Sequence, residues 1–157
     1  MKHKSLSVAV TIMVVALAAL AVAQEKPWYD EKCEFCKPWM TPEMTKNVTW
    51  DQREISNGVM TICLFPESLR EAYNKASAQM GILSQKAAAG EKIHMCGSCE
   101  AMGSFFMRGA KMEEVPTASG VVQLLTASDS TMIAEIHKWA KRDAEEMKKM
   151  TEAARKK

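Results

Sequence analysis

Two short motifs, Cys33-Glu34-Phe35-Cys36 and Cys96-Gly97-Ser98-Cys99, stand 63 positions apart and impose an internal repeat on any fold of this chain. Each is followed by a Met-containing stretch, a hairpin signal and a long amphipathic segment. The hairpin signals, Asn57-Gly58 and Ser119-Gly120, are offset by 62, so one residue has slipped between cysteines and turn. Two pseudo-repeats, about 31–90 and 94–157, therefore share one plan.

The segments between these landmarks have their own periodicities. In the first repeat, Val48 to Ile55 and Val59 to Phe65 read as strands around Asn57-Gly58, a dipeptide that accepts the positive φ angles of a tight hairpin. In the second, Lys111 to Val115 and Val121 to Thr126 flank Ser119-Gly120, and Pro116 confines its strand to an edge or ends it early. From Glu67 to Ala89, apolar residues including Leu69, Tyr73, Ala76, Met80 and Leu83 recur at three- and four-residue steps, with Gly90 at the expected helix end. From Ser130, behind Asp129 as N-cap, Met132, Ile136, Trp139, Ala140, Met147 and Met150 repeat the pattern. Shorter helices are expected over about 33–44 and 96–108, the first shortened or broken by Pro38 and Pro42. The order α-β-β-α, twice, predicts an α+β domain: one four-stranded antiparallel sheet with the helices packed on one face. An isolated hairpin is marginally stable in water, so the halves are expected to share that sheet.

The N-terminus points to export. Met1-Lys2-His3-Lys4, an apolar run from Leu6 to Ala21, and Ala21-Val22-Ala23 ahead of Gln24 form a positive region, a hydrophobic region and a small-x-small cleavage site. Residues 1–23 are read as a signal peptide and 24–157 as a single domain with no stable membrane anchor after cleavage. The expected location is periplasmic or secreted, where disulfides persist. Removing Lys2 and Lys4 leaves 19 basic against 19 acidic residues. A neutral body without a polybasic block excludes nucleic acid as the main partner. A metal ion, or another exported protein, remains as partner.

The chemistry lies in the cysteines. A CxxC turn brings two sulfurs close enough to bind a soft metal ion, to form a disulfide, or to cycle between dithiol and disulfide. Cys33, Cys36, Cys96 and Cys99 are the candidate ligands, either as one Cys₄ site suited to zinc or as two two-sulfur sites suited to Cu(I). Pro38 and Pro42 occur in one half and His94 in the other, an asymmetry that favours separate sites. His94 and Met95, immediately before Cys96, are added candidates for the second site; the position matching His94 is Glu31. Met40, Met44, Met102 and Met107 also lie near the motifs, and each reads as core packing before ligation. His137, mid-helix, reads as structural or solvated. The fifth cysteine, Cys63, aligns with Leu125 and reads as a small buried hydrophobe.

Enzyme chemistries find less support. Covalent haem needs His directly after a CxxC, but Lys37 and Glu100 stand there. A thiol-disulfide oxidoreductase is a rival reading, opposed by the hairpins that follow each motif and by Glu34 and Glu100 beside the thiols. The other rival is a structural or interaction domain stapled by CxxC disulfides.

The second repeat, with its CxxC, helix, Gly109-Ala110, hairpin about Gly120 and final helix, resembles the heavy-metal-associated family. The resemblance spans roughly Met95 to Lys141, and more faintly Cys33 to Met80. It implies a ferredoxin-like fold and Cu(I) or a similar ion on Cys96 and Cys99, with Cys33 and Cys36 as the repeat's counterparts. Met95 directly precedes Cys96, so the family's Met-x-Cys-x-x-Cys spacing is not met. The sequence thus predicts a non-catalytic exported protein holding Cu(I) or zinc.

Overall fold

A computed structural model describes residues 26–155; the proposed signal peptide, residues 1–23, lies outside them. In chain order the elements are α1 (Pro42–Asn47), β1 (Thr49–Ile55), β2 (Gly58–Leu64), a 3₁₀ turn (Glu67–Leu69), α2 (Arg70–Ala88), α3 (Gly97–Met107), β3 (Lys111–Thr117), β4 (Gly120–Thr126) and α4 (Ser130–Arg155). The strands form one antiparallel sheet in the order β1-β2-β4-β3. This is the expected α+β architecture, with the strand adjacency of a ferredoxin-like sheet entered at a different strand.

The sheet carries the repeat in its register. At the centre of the β2–β4 pair Thr61 faces Gln123, its own equivalent 62 positions on, and the pairs on either side are related by the same offset. A pseudo-twofold axis therefore passes through the middle of the sheet. The close approach at this seam explains two glycines. A Cβ on Gly58 would stand 1.9 Å from the Leu125 carbonyl oxygen, and one on Gly120 would stand 1.9 Å from that of Cys63. Both glycines are strand residues, so the turns fall one residue earlier than expected, on Ser56-Asn57 and Ala118-Ser119. The β3 strand runs through Pro116 to Thr117, which an edge strand tolerates because its outer N–H positions have no ladder partner.

The long helices follow the apolar periodicity. Asp129 caps α4: its Oδ1 accepts from the Met132 backbone N–H at 2.8 Å. Gly90, at φ +86°, ends α2, with the Glu91 N–H returning to the Lys86 carbonyl. The first expected short helix is different. Residues 33–40 form a series of turns, and α1 begins only at Pro42, behind Thr41, whose side chain accepts from the Met44 N–H. Pro38 has no N–H for a helical ladder, and Pro42 is favourable only at a helix start.

Both long helices cover the same face of the sheet, and each draws on both repeats. One cluster joins α4 residues Ile136, Trp139 and Ala140 with Val59 from the first hairpin and Leu125 from the second. The other joins Leu69 and Tyr73 with Phe65, Cys63 and Val121. Leu125 and Ile136 are fully buried, each contributing about 2 kcal/mol relative to an exposed position. Cys63 is buried in this core, beside apolar neighbours as its alignment with Leu125 suggests. No described helix covers the opposite face of the sheet.

Candidate metal centre

The two CxxC turns meet. The sulfurs of Cys33, Cys36, Cys96 and Cys99 all lie within 4.8 Å of one another, so the expectation of two separate sites gives way to a single group of four. The Cys36 Sγ is 3.5 Å from both the Cys96 and Cys99 Sγ, much longer than a disulfide of about 2.05 Å. Asymmetry between the halves misled the sequence reading because it concerns the backbone carrying the sulfurs and leaves their meeting point unchanged.

Each half reaches this point by a different local route. In the first, the Cys36 and Lys37 N–H groups both donate to the Cys33 carbonyl, folding the CxxC into one helical turn. In the second, Cys96 is the N-cap of α3, and Cys99 lies in its first turn. The helix N-terminus favours negative charge on a thiolate placed there. The leading N–H groups of α3, on Gly97 and Ser98, donate to the carbonyls of Pro27 and Trp28, so the segment ahead of the first motif satisfies the helix that carries the second. The motifs are also tied directly: the Glu34 N–H donates to the His94 carbonyl, and the His94 N–H donates to the Glu34 carboxylate.

The surroundings are closed and partly aromatic. Cys33, Cys36 and Cys96 are buried and Cys99 is partly so, with Tyr29, Phe35 and Met40 packed against them. Cys33 is held well below the usual thiol range because the Cys36, Cys96 and Cys99 thiols donate toward its sulfur. Cys36 and Cys99 are pushed up, first by their hydrogen bonds to Cys33. Cys96 is raised by Cys33 but lowered by Cys36 and Cys99, and the balance brings it to about 7. Four thiolates at this spacing require a cation among them.

The remaining candidates are engaged elsewhere or placed in the core. The His94 Nε2 lies 2.6 Å from Asp30 Oδ2 on the surface of the site, and the group of four ligand atoms does not include His94. Met95 is half-buried next to Cys96 in the chain. The His137 Nε2 faces the Ile55 and Gly58 carbonyls at 3.1 and 2.9 Å; since carbonyls only accept, it is the donor there, and the residue clamps the first hairpin. Met44 lies in the Tyr73 core cluster, Met102 packs against the Trp139 cluster, and Met107 is 87% exposed.

The residue that sequence reading missed is Asp143. It is 7% exposed, and its Oδ1 accepts from Ser98 Oγ at 2.7 Å, Tyr29 OH at 2.7 Å and Trp28 Nε1 at 3.2 Å. Its Oδ2 accepts from Gln52 Nε2 at 3.2 Å. Ser98 is the residue between the cysteines of the second motif, and Trp139 Nε1 donates to its Oγ at 3.2 Å. Burial, then Asp143, pushes the Tyr29 hydroxyl up, keeping it a donor. One carboxylate on α4 thereby fixes the second CxxC, the N-terminal segment and strand β1. Its signal was present in the sequence: Asp143 interrupts the stripe Ile136, Ala140, Met147 at an apolar position. No family model, curated protein or solved structure matches the chain.

Proposed function

We propose that this is an exported, non-catalytic metal-binding protein in which the two CxxC turns hold one zinc ion. The observation that supports this reading is the single group of four sulfurs. A tetrahedral zinc with Zn–S of about 2.3 Å needs sulfurs about 3.8 Å apart. Spacings of 3.5 Å, and a limit of 4.8 Å for the whole group, fit that ion with small adjustments. Four thiolates fill a tetrahedral shell and leave no open position for substrate, which supports a non-catalytic role. The same count argues against Cu(I) on a single CxxC, the chemistry that the heavy-metal-associated resemblance implies. Export rests on the leader and the Ala21-Val22-Ala23 site.

The role that follows is cross-linking. An ion with two ligands from each repeat staples together segments 60 residues apart and adds its binding free energy to folding. Elemental analysis of natively purified protein, with intact mass before and after reduction, tests the reading. One zinc per chain, four thiols and a mass beginning at Gln24 are expected. Iron in place of zinc would overturn the choice of ion, and a metal-free chain lacking four hydrogens would overturn the metal site. A chain still beginning at Met1 would overturn cleavage.

A further inference from the structure

The face of the sheet turned away from the helices is apolar at its centre and charged along its edges. Alternation places Val59, Cys63, Val121 and Leu125 in the core, so Met60, Ile62 and Leu64 of β2 and Val122 and Leu124 of β4 point the other way. They adjoin across the seam, Met60 beside Leu124 and Ile62 beside Val122, and Val115 of β3 extends the patch beside Val122. Leu64 and Val115 are 45% and 43% exposed. The seam that carries the repeat thus leaves a contiguous apolar strip open on the face that no described helix covers.

We propose that this face is a homodimer interface, closed by the same face of a second copy. The charges select the occupant. One row across the sheet reads Arg53, Met60, Leu124, Glu113, with a cation at one edge, an anion at the other and two apolar residues between. A twofold axis parallel to the strands, lying between two stacked sheets, reverses this row in the second copy. Arg53 then lies over the partner copy's Glu113 and the reverse, while Met60 and Leu124 cover each other. The row is therefore complementary to itself, as an isologous interface requires. A lipid surface would favour a basic rim, whereas this rim is mixed. Arg53 is held by the Asp51 carboxylate of the next row, its Nε at 3.0 Å and a terminal nitrogen at 2.9 Å, so its remaining N–H donors are the ones offered to the partner copy's Glu113.

The sheet offers about 20 by 24 Å, which with side-chain relief corresponds to on the order of 600 Å² a side, the small end of specific interfaces. A dimer that dissociates on dilution is the expected behaviour. The proposal does not depend on the ion, because no cysteine of the metal group lies on this face.

Sedimentation equilibrium of the purified protein across a concentration series is the test, with metal content and melting temperature of every variant as checks on folding. A reversible dimer is expected. Leu124→Glu puts a carboxylate at the apolar centre and should give a monomer at all concentrations with unchanged metal content. Association through the apolar leader would ignore that substitution and would overturn the proposal, as would a wild-type monomer at the highest concentration. Arg53→Glu and Glu113→Arg should each weaken the dimer by about tenfold, and the double variant should recover most of the affinity. Charge variants without mutual rescue would overturn the proposed pairing of the rows.

Discussion

The two cysteine turns contribute equal numbers of sulfurs and unequal support. The second is built on α3, its helix N-terminus satisfied by Pro27 and Trp28 and its Ser98 anchored to the buried Asp143 carboxylate. The first is a series of turns bounded by Pro38, tied to its surroundings through Glu34 and His94. A sulfur held by a helix and a buried polar hub is preorganised. A sulfur held by a turn would depend more on a bound ion for its position. A duplicated ligand set therefore need not have a duplicated scaffold, provided the two routes end at one point.

The largest effect is expected from removing the first turn altogether. Residues 92–157 expressed alone keep α3, β3, β4 and α4 but lose Val59 from one core cluster and half of the sulfurs. A largely unfolded or self-associating product is expected by circular dichroism and NMR; a well-folded monomer would show that the second half is autonomous. Next in size is Cys33→Ser with Cys36→Ser. All bound metal should be lost, because the four sulfurs form one group, and stability should fall by about 4 kcal/mol, or roughly 15 °C in Tm. A second half that keeps its metal would restore the separate-site picture. Chelation of the wild type should speed amide hydrogen exchange at residues 33–37 more than at 96–100, a difference that sharpens the contrast between the turns.

Asp143→Ala should cost about 3 kcal/mol by urea unfolding, since it leaves the Ser98, Tyr29 and Trp28 donors without their acceptor, and should weaken metal binding by about tenfold or more. Asp143→Asn keeps a carbonyl oxygen and should cost less. Equal metal affinity in wild type and Asp143→Ala would remove the carboxylate from any role in positioning the second turn.

The smallest expected effect is at the cysteine outside the metal group. Cys63→Ala should lower stability by on the order of 1 kcal/mol and leave the metal stoichiometry unchanged. Burial, then Glu114, pushes the Cys63 thiol up from 9.0 to about 12. A raised thiol favours the protonated form in the fold, so its contribution is fully present below pH 9 and is lost as pH rises toward 12. The stability gap between wild type and Cys63→Ala should therefore shrink between pH 9 and 12, and a gap that widens would contradict the burial of this thiol.

The fold was legible because its signals are local and periodic. The apolar steps of the long helices, Asp129 and Gly90 each report the chain's own geometry, and the 62-residue offset reappears in the register of β2 on β4. Pro38 and Pro42 gave a correct warning about the first short helix. The turn positions were missed by one residue because the glycines answer to the opposing strand, a non-local constraint.

The identity of the four thiols, the order of the elements and the existence of a repeat are all written in local sequence. The sequence left open whether those thiols form one group or two, because convergence depends on how α3 and the turns at 33–40 dock, and that docking runs through contacts 60 or more residues apart. Asp143 was equally a tertiary decision. Its place on an apolar stripe was visible, but four donors from three other segments exist only once α4 is packed, and a carboxylate can be buried there because those donors replace the water it gives up.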